Sequence, residues 1–350
     1  MIKKSLTVLS IAVAYFANAQ DVSTIRNTFD VYSNSSLNGT SKYNSMAGSM
    51  GALGGDVSVL NSNPAGIGVN IASEISGTLF IENNKNTNNY AGKSLSNKIN
   101  NTDLGNVGGV ATFQVNGASP WKFVNVAVNY SNQSIEDYSE TPGNGNIVYE
   151  INDADNALID ELAFAGHAYN RYGNVSKMSI GLGANYDNRI YVGAGLNFHN
   201  SVLEQYDSAA FTNSANVTDI YDKQYTPFSE SSTGFSATLG VIGKINPQFR
   251  VGAALETPTW WNIARVYTEY ENPTDGSYAE DRNLSSPMKA TLSAAFVPNK
   301  NFAINVDYTL GITKAKYKVY GNAETELNQF FSNNASNLSE VKVGAEYRIM

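Results

Sequence analysis

The chain has 350 residues, a formal net charge of −8 and no cysteine. These values exclude a disulfide framework and thiolate chemistry, and they argue against nucleic acid as a partner because phosphate binding requires a basic face. The 21 tyrosines, 29 glycines and low charged fraction of 15% indicate a β-rich protein rather than a helical one.

Residues 1–19 have the features of a secretory signal peptide. Lys3 and Lys4 precede a short apolar stretch, and Ala17-Asn18-Ala19 supplies the small-x-small cleavage pattern. The alternative is a membrane anchor helix, but the apolar stretch is shorter than the roughly 20 residues that span a bilayer. The sequence therefore predicts an exported protein with a mature chain beginning at Gln20, whose membrane role, if any, falls to strands.

Residues 20–72 are glycine-rich and do not alternate, yet they contain many apolar residues. A flexible linker does not need these apolar groups, so the segment is predicted to pack as irregular structure. Such backbone is tolerated at membrane depth only where protein surrounds it. The stretch "NSNPAGIGV" at residues 61–69 lacks the lysine of a phosphate-binding loop. We therefore interpret residues 20–72 as a plug, or hatch, in the lumen of a barrel.

Residues 73–350 contain about ten segments in which apolar residues alternate with small or polar ones, as expected for strands with one apolar face. The clearest example is "FAINVDYTL" at residues 302–310. The other segments are residues 74–82, 106–115, 124–130, 177–186, 190–198, 234–243, 249–256, 288–296 and 341–349.

The connections between these segments alternate between short turns and long polar stretches. This alternation predicts an all-β, antiparallel, up-and-down transmembrane β-barrel. A soluble β-sandwich is the alternative, but strands of ten or more residues exceed the usual length of about six. The short turns are residues 117–120, 187–189, 246–247 and 298–300, and the predicted loops are residues 83–105, 132–174, 206–229, 272–281 and 319–338, with helical patches at residues 154–169 and 323–334.

Three pieces of the sequence resemble the FadL/TodX-type family of outer-membrane transporters. They are "SMAGSMGALGGDVSVLNSNPAGIGV" (residues 45–69), "TGFSATLGVIGKINPQFRVGAALETPTWWNI" (residues 233–263) and "SSPMKATLSAAFVPNKNFAINVDYT" (residues 285–309). The resemblance implies a fourteen-stranded barrel with an N-terminal hatch in the bacterial outer membrane, which passes hydrophobic molecules such as long-chain fatty acids. It also implies a monomer whose partners are a hydrophobic ligand, outer-membrane lipid and the barrel assembly machinery.

The strand count departs from this family pattern. About ten strands are predicted, and the chain ends directly after one of them. An open sheet edge in lipid would leave backbone groups unpaired at a cost of several kcal/mol each. We therefore expect a C-terminally truncated fourteen-stranded barrel, with a barrel closed by about ten strands as the alternative.

The resemblance also supplies the candidate site. Asn63, Pro64 and Ala65 match the conserved hatch triplet of the family and, with Gly66, are expected to form the gate. An apolar ligand site is expected from hatch residues and from apolar residues at inward strand positions, although these side chains could instead pack the hatch against the wall. The candidates are Met46, Met50, Leu53, Leu60, Phe80, Val110, Phe123 and Ile242.

Other chemistry finds little support in the sequence. Some members of the family are described as haemin receptors, but His167 and His199 are expected on different parts of the barrel, so no cofactor is expected. The acidic pairs Asp153/Asp155 and Asp160/Glu161 fall in a polar stretch. The sequence shows no convincing catalytic motif, so an enzyme is not expected. Besides transport, a scaffold for protein secretion and an adhesin remain as alternatives.

Overall fold

The computed structural model describes residues 25–26, 28–33, 38–223, 225–269, 276–319, 323–335 and 337–349. The predicted signal peptide and the first residues of the predicted hatch lie outside this part of the chain. Within the described residues, no helix is both long enough and apolar enough to cross a membrane.

In this part of the chain, fourteen strands form a single antiparallel sheet. The strands are β1 (Glu74–Tyr90), β2 (Lys93–Gln114), β3 (Trp121–Asn152), β4 (Leu158–Tyr186), β5 (Ile190–Thr212), β6 (Thr218–Asp222), β7 (Phe228–Lys244), β8 (Phe249–Glu256), β9 (Trp260–Glu269), β10 (Gly276–Ser285), β11 (Lys289–Phe296), β12 (Phe302–Gly311), β13 (Lys316–Lys318) and β14 (Ser339–Tyr347). The predicted fold class, an antiparallel barrel-type sheet, is confirmed.

The strands follow a path of ten neighbours, β1-β2-β3-β4-β5-β7-β8-β11-β12-β14. The remaining strands extend this path away from the short turns: β9 pairs with β7 and β10, β13 pairs with β10, and β6 pairs with β5. Three neighbouring crossings of the sheet each consist of two strands, with an interruption at residues 257–259, 286–288 or 312–315. The predicted number of about ten strands therefore matches the number of times that the chain crosses the sheet, although some crossings contain two strands.

The four predicted short turns lie at one end of the sheet, and two aromatic pairs each connect neighbouring turns. Trp121 follows the turn at residues 117–120 and Tyr186 precedes the turn at residues 187–189, and their ring centroids are 5.1 Å apart. Phe249 and Phe296 lie next to the other two turns, with ring centroids 4.6 Å apart. Tyrosine and tryptophan rings favour the boundary between the apolar core of a bilayer and water. The short-turn end of the sheet therefore has the character of a membrane interface.

The two faces of the sheet differ in polarity, as the alternation predicts. On β3, Val126 and Val128 are outward and partly exposed, whereas Asn125 and Asn129 point inward and are completely buried. The same arrangement holds on β5, where Leu196 is exposed and Asn197 is buried. An apolar outside and a polar inside are the pattern of a barrel that spans a bilayer.

The structure corrects four of the predicted loops. Antiparallel pairing continues between β1 and β2 through residues 83–105 and between β3 and β4 through residues 132–174, while β5 runs on to Thr212 and pairs with β6. In the predicted loop at residues 272–281, residues 276–281 belong to β10 and pair with β9. These strands extend beyond the apolar band into water. Because both faces of these strands can be polar in water, their sequence lacks the alternation of apolar and polar residues that predicts a strand.

Of the two predicted helical patches, one is wrong and one is confirmed. Residues 154–169 form a turn and the first part of β4, whereas residues 323–334 are helical. The helices are α1 (Phe29–Ser33), α2 (Ser41–Ser45) and α3 (Ala323–Asn334), and two 3-10 helices span Val57–Asn61 and Pro64–Val69.

In the described residues, two large apolar clusters and one small cluster (Ala65, Tyr191 and Ile242) fill the inside of the sheet. The hatch core lies near the short turns and contains Tyr43, Met46, Met50, Ala52, Leu53, Val57, Val59, Leu60 and Ile67 of the hatch with Val110, Ala127, Ala295 and Ala303 of the wall. The upper cluster lies towards the long hairpins and contains Ile25, Val31, Tyr32, Leu203, Phe228, Trp261, Ile263, Leu284, Ala315, Tyr317, Val319, Leu327 and Phe331.

Candidate functional site

The Asn63-Pro64-Ala65-Gly66 motif begins the second 3-10 helix of the hatch. Asn63 is its N-cap, with an extended backbone (φ −142°, ψ 103°) of the kind that a following proline favours. Pro64 fits the first helical turn because it has no N–H to satisfy and its φ is already fixed. The Asn63 Oδ1 accepts a hydrogen bond from the Ala65 N–H at 3.1 Å. These four residues therefore set where the chain turns.

The other end of the Asn63 amide ties the motif to its surroundings. Its Nδ2 donates to the carbonyl oxygen of Gly51 at 2.7 Å and to that of Val241 at 3.2 Å. Gly51 belongs to the preceding loop of the hatch, and Val241 lies on β7 of the wall. Asn63 is fully buried, so this one side chain joins two parts of the hatch and the wall without help from solvent.

Wall glycines let the hatch backbone approach the sheet. A Cβ at Gly240 would lie 1.9 Å from Asn63 Oδ1, and one at Gly193 would lie 2.4 Å from the Pro64 carbonyl. A Cβ at Gly183 would lie 2.4 Å from the Gly68 nitrogen. Real Cβ atoms do not come this close to backbone or side-chain atoms. The small residues at inward positions of β4, β5 and β7 therefore form the seat of the motif.

Polar side chains of the wall complete the attachment of the hatch. Asn125 donates to the carbonyl oxygens of Ile67 and Asn70 at 2.7 and 2.8 Å. On β12, Asp307 Oδ2 accepts from the Gly51 N–H at 3.1 Å. These bonds satisfy backbone groups of irregular structure that would otherwise be buried without partners.

The predicted ligand residues lie in the hatch core, in a small separate cluster beside Ala65, and on the wall. Met46, Met50, Leu53, Leu60 and Val110 meet in the hatch core, where the hatch packs against β2. These five side chains pack the hatch against the wall, which is the alternative to a ligand site.

The remaining three predicted ligand residues lie apart from the hatch core. Ile242 packs with Ala65 of the motif and with Tyr191. Phe80 and Phe123 are half-buried on β1 and β3. The eight residues are therefore distributed around the hatch and do not line one common chamber.

A small polar chamber lies on the side of the hatch that faces the long hairpins. Its volume is about 40 Å³, and its lining includes Glu256, Lys289, Asp307 and Lys342 of the wall with Tyr43 of the hatch. Burial raises the pKa of the Tyr43 hydroxyl, so this group stays neutral. The chamber suits water and charged groups rather than an apolar molecule.

Beyond this chamber, the upper cluster supplies the apolar surface of the lumen. Tyr32 packs edge-on against Trp261 with ring centroids 5.1 Å apart, and its hydroxyl donates to Glu230 Oε2 at 2.8 Å. Glu230 is in turn paired with the buried Arg282. The alternation of apolar and polar residues does not predict this cluster, although the paired tryptophans of "TPTWW" are a signal that large apolar side chains gather there.

An apolar pocket of about 170 Å³ borders the upper cluster where the wall is interrupted. Phe29, Ala315 and Phe331 contribute to both the pocket and the cluster or its margin. Pro287 lies in one strand interruption and Thr313 in the next. The pocket thus lies between the upper cluster and two strand interruptions of the wall.

The two histidines are far apart. His167 lies on β4, not on a helix as predicted, and its Nε2 is 2.6 Å from Asp207 Oδ1. His199 lies on β5 and pairs with Lys177, whereas His167 pairs with Ala209, ten residues further along β5. Ten residues of strand span about 30 Å, so the two rings cannot ligate one haem iron.

The acidic pairs have structural roles in hairpin turns. Asp153 Oδ1 accepts hydrogen bonds from the N–H groups of Asp155 and Ala157 and thereby closes the turn between β3 and β4. Asp160 accepts from the Ser214 hydroxyl and N–H, and these bonds lower the pKa of its carboxyl. Within the described residues, no group of three or more histidine or acidic side chains is placed to hold a metal ion.

Comparisons with known proteins give similarities in structure alone. No protein-family model and no curated protein matches the sequence. The toluene transporter TodX of P. putida is similar over 90% of this chain and 81% of its own, with a TM-score of 0.54 and 11% sequence identity. The monoaromatic hydrocarbon channel CymD and the toluene transporter TbuX of Ralstonia pickettii match with 10% and 12% identity, over 89% of this chain and 80% and 82% of theirs, at TM-scores of 0.49 and 0.47. The chain has the fold of the FadL/TodX-type barrels of the bacterial outer membrane.

Proposed function

We propose that this protein lets hydrophobic small molecules cross the outer membrane by passive diffusion, with the hatch as the gate. The observation that carries this proposal is the buried hatch seated in the lumen through Asn63. A folded segment that fills a pore and contacts the wall without a covalent link can close the pore and can also move. Insertion by the barrel assembly machinery and a monomeric state belong to the same proposal.

The class of ligand is inferred from the upper cluster. Its aromatic and aliphatic side chains face the lumen on the side of the long hairpins, which is the outer side of a barrel of this type. A hydrophobic molecule gains roughly 25 cal/mol for each Å² of apolar surface that it removes from water. Toluene, the compound named for TodX, and long-chain fatty acids are both candidates.

The gate is assigned to Asn63, Pro64, Ala65 and Gly66. We expect the Asn63 bonds to Gly51 and Val241 to break as the second 3-10 helix moves. Met46, Met50, Leu53, Leu60, Phe80, Val110, Phe123 and Ile242 would then lie along the path that the hatch opens. Their proposed contact with the ligand therefore belongs to the open state.

Fixing the hatch to the wall tests the gate. The chain has no cysteine, so a double substitution, Gly51→Cys with Ser293→Cys, introduces one pair. A Cβ at Gly51 would lie 3.1 Å from the Ser293 Cβ, closer than the roughly 3.5–4.5 Å of a disulfide, so the bridge forms after a small outward shift of the hatch loop. We expect uptake of radiolabelled toluene or oleate by cells to fall at least tenfold when the pair is oxidised and to return after reduction.

The two single substitutions are the matched controls, because they change the same contacts without a cross-link. Uptake that is equal before and after reduction, with the disulfide shown to be formed, would remove the gating role. A hydrophilic tracer that enters equally in all variants checks that the cells are intact.

The extended hairpins favour a second candidate function, a scaffold or adhesin at the cell surface. Around their tips, Leu158, Val217 and Ile220 are exposed, Ile220 by 73%. Exposed apolar groups concentrated in one region often mark a binding surface. Shortening the β3–β4 hairpin by residues 148–163 should leave uptake unchanged if transport is the function, and should abolish surface binding if adhesion is.

A further inference from the structure

A pocket of about 370 Å³ opens at the short-turn end, between the hatch and the wall. The hatch contributes Lys42, Leu53 and Gly55, and the wall contributes Arg250 and Lys300. Short turns of such barrels face the periplasm, so the pocket lies on the side where a transported molecule leaves.

The pocket is cationic, although the chain as a whole carries a net charge of −8. Lys42, Arg250, Lys300 and Arg348 line it, and Glu346 is its single carboxylate among the described lining residues. Arg348 already pairs with Glu346 at 2.7 Å. Lys42, at 4.0 Å from Glu346, together with Arg250 and Lys300, leaves positive charge for an incoming anion.

Arg250 has hydrogen-bonding capacity left over. Its Nη1 donates to the carbonyl oxygen of Leu53 at 2.9 Å, but its Nε is buried without a partner. A guanidinium has a planar fork of donors that matches the two oxygens of a carboxylate. Valine and alanine side chains, Val69, Val297 and Ala303, form the apolar part of the same pocket.

We propose that this pocket is a binding site for an anionic amphiphile, with its carboxylate on Arg250 and Lys300 and its hydrocarbon chain against Val69, Val297 and Ala303. The site combines two features, an arginine with an N–H group that has no hydrogen-bond partner and an adjacent apolar surface. A neutral hydrocarbon would meet only the second of these features.

The pocket is connected to the gate by hydrogen bonds. Arg250 holds the Leu53 carbonyl, and Lys42 Nζ lies 3.5 Å from the Gly55 carbonyl. The Gly55 N–H donates to Gly66 at 3.1 Å, and the Gly66 N–H donates to Asn63 at 3.0 Å. A carboxylate that draws the Arg250 guanidinium towards its own oxygens stretches the bond to the Leu53 carbonyl and therefore loosens the turn that touches the gate; this step rests on the proposed function.

Binding is tested with the full chain in a neutral detergent by titration calorimetry with hexanoate, hexanol and acetate. We expect hexanoate to bind at least tenfold more tightly than either hexanol, which has the same tail, or acetate, which has the same headgroup. Lys300→Gln, in an exposed turn, and Arg250→Gln should each weaken hexanoate binding at least fivefold. Lys122→Gln is the matched control, because Lys122 lies at the same end of the sheet outside the pocket.

Equal affinities for hexanoate and hexanol, or affinities that neither Lys300→Gln nor Arg250→Gln changes, would overturn the site. The link to the gate is measured separately, by hydrogen exchange of the amides of residues 50–70 with and without saturating hexanoate. We expect faster exchange with hexanoate, and unchanged exchange would refute the link. The proposed function fails instead if the oxidised Gly51→Cys/Ser293→Cys protein still transports, a result that leaves hexanoate binding intact.

Discussion

At the scale of single residues, the function proposed for the hatch depends on absent side chains as much as on present ones. Asn63 can reach Val241 only because Gly240 has no Cβ in the space that the amide occupies. The neighbouring glycine Gly243 on the same strand has open space around its Cβ position. Glycine is therefore required at one position for a close approach and is replaceable at the other.

Gly240→Ala is predicted to loosen the hatch, because the new methyl group displaces the Asn63 amide from its two carbonyl partners. Losing satisfied partners of a buried polar group costs about 1–3 kcal/mol. We expect the free energy of hatch opening, measured by hydrogen exchange of the 3-10 helix amides, to fall by about this amount. Gly243→Ala should leave exchange unchanged, and an equal effect of both substitutions would contradict the seat described for Asn63.

At the scale of elements, a ladder of asparagines attaches the outer β1–β2 hairpin to β3. In the described residues, backbone pairing between β2 and β3 ends at Ser131. Beyond it, Asn84, Asn86 and Asn88 donate through Nδ2 to the carbonyl oxygens of Glu136, Tyr138 and Glu140 at 3.1, 3.0 and 2.6 Å. Side chains at every second residue of one strand thus take the place of a backbone ladder along the other.

Replacing Asn84, Asn86 and Asn88 together by alanine is predicted to free the hairpin from β3. Each bond contributes about 0.5–1.5 kcal/mol, so the three together are enough to hold the hairpin in one position. Spin labels at Ala91→Cys and Gly145→Cys should report a narrow distance distribution in the parent chain and a broad one in the variant. Alanine at Asn83 and Asn89 is the control, since these residues lie on the opposite face of β1.

The same ladder shows where the sequence was informative and where it was not. In the bilayer region, alternation predicts strands because one face meets lipid and the other meets the lumen. Asn84 to Asn88 have no apolar face to reveal, so residues 83–105 were predicted to be a loop although they are paired strands. The motif at residues 63–66 was recognisable, but its partner Gly240 was not, because only folding brings them together.

At the scale of the whole molecule, the distribution of polarity is the reverse of that in a water-soluble protein. Apolar residues such as Leu239 and Leu292 are more than 60% exposed on the outside, and Asn106 and Asn197 are completely buried inside. All strand pairings are antiparallel between neighbours, so each backbone bond is local to a hairpin or to its neighbour. The apolar outside of such a sheet is suited to contact with hydrocarbon rather than with water.

The purified protein is therefore predicted to be heat-modifiable. In dodecyl sulfate, a folded barrel keeps its backbone ladders because the detergent covers its apolar outside as lipid does. Unboiled and boiled samples should migrate differently on a denaturing gel. A boiled sample should keep its unfolded position after it is cooled. Identical migration of the two samples would count against a barrel. Recovery of the protein in the water-soluble fraction of a cell homogenate would count against a membrane location.

The seat of the hatch has a consequence for how such proteins change over time and for how they can be rebuilt. Gly183, Gly193 and Gly240 lie on three different strands, and each is matched to a particular atom of residues 63–68. A hatch transplanted into a barrel with larger side chains at these positions would not fit, and a wall with these glycines would leave gaps around a smaller hatch. The hatch and the wall should therefore be inherited together, and chimeras should work only when both halves of the match are exchanged.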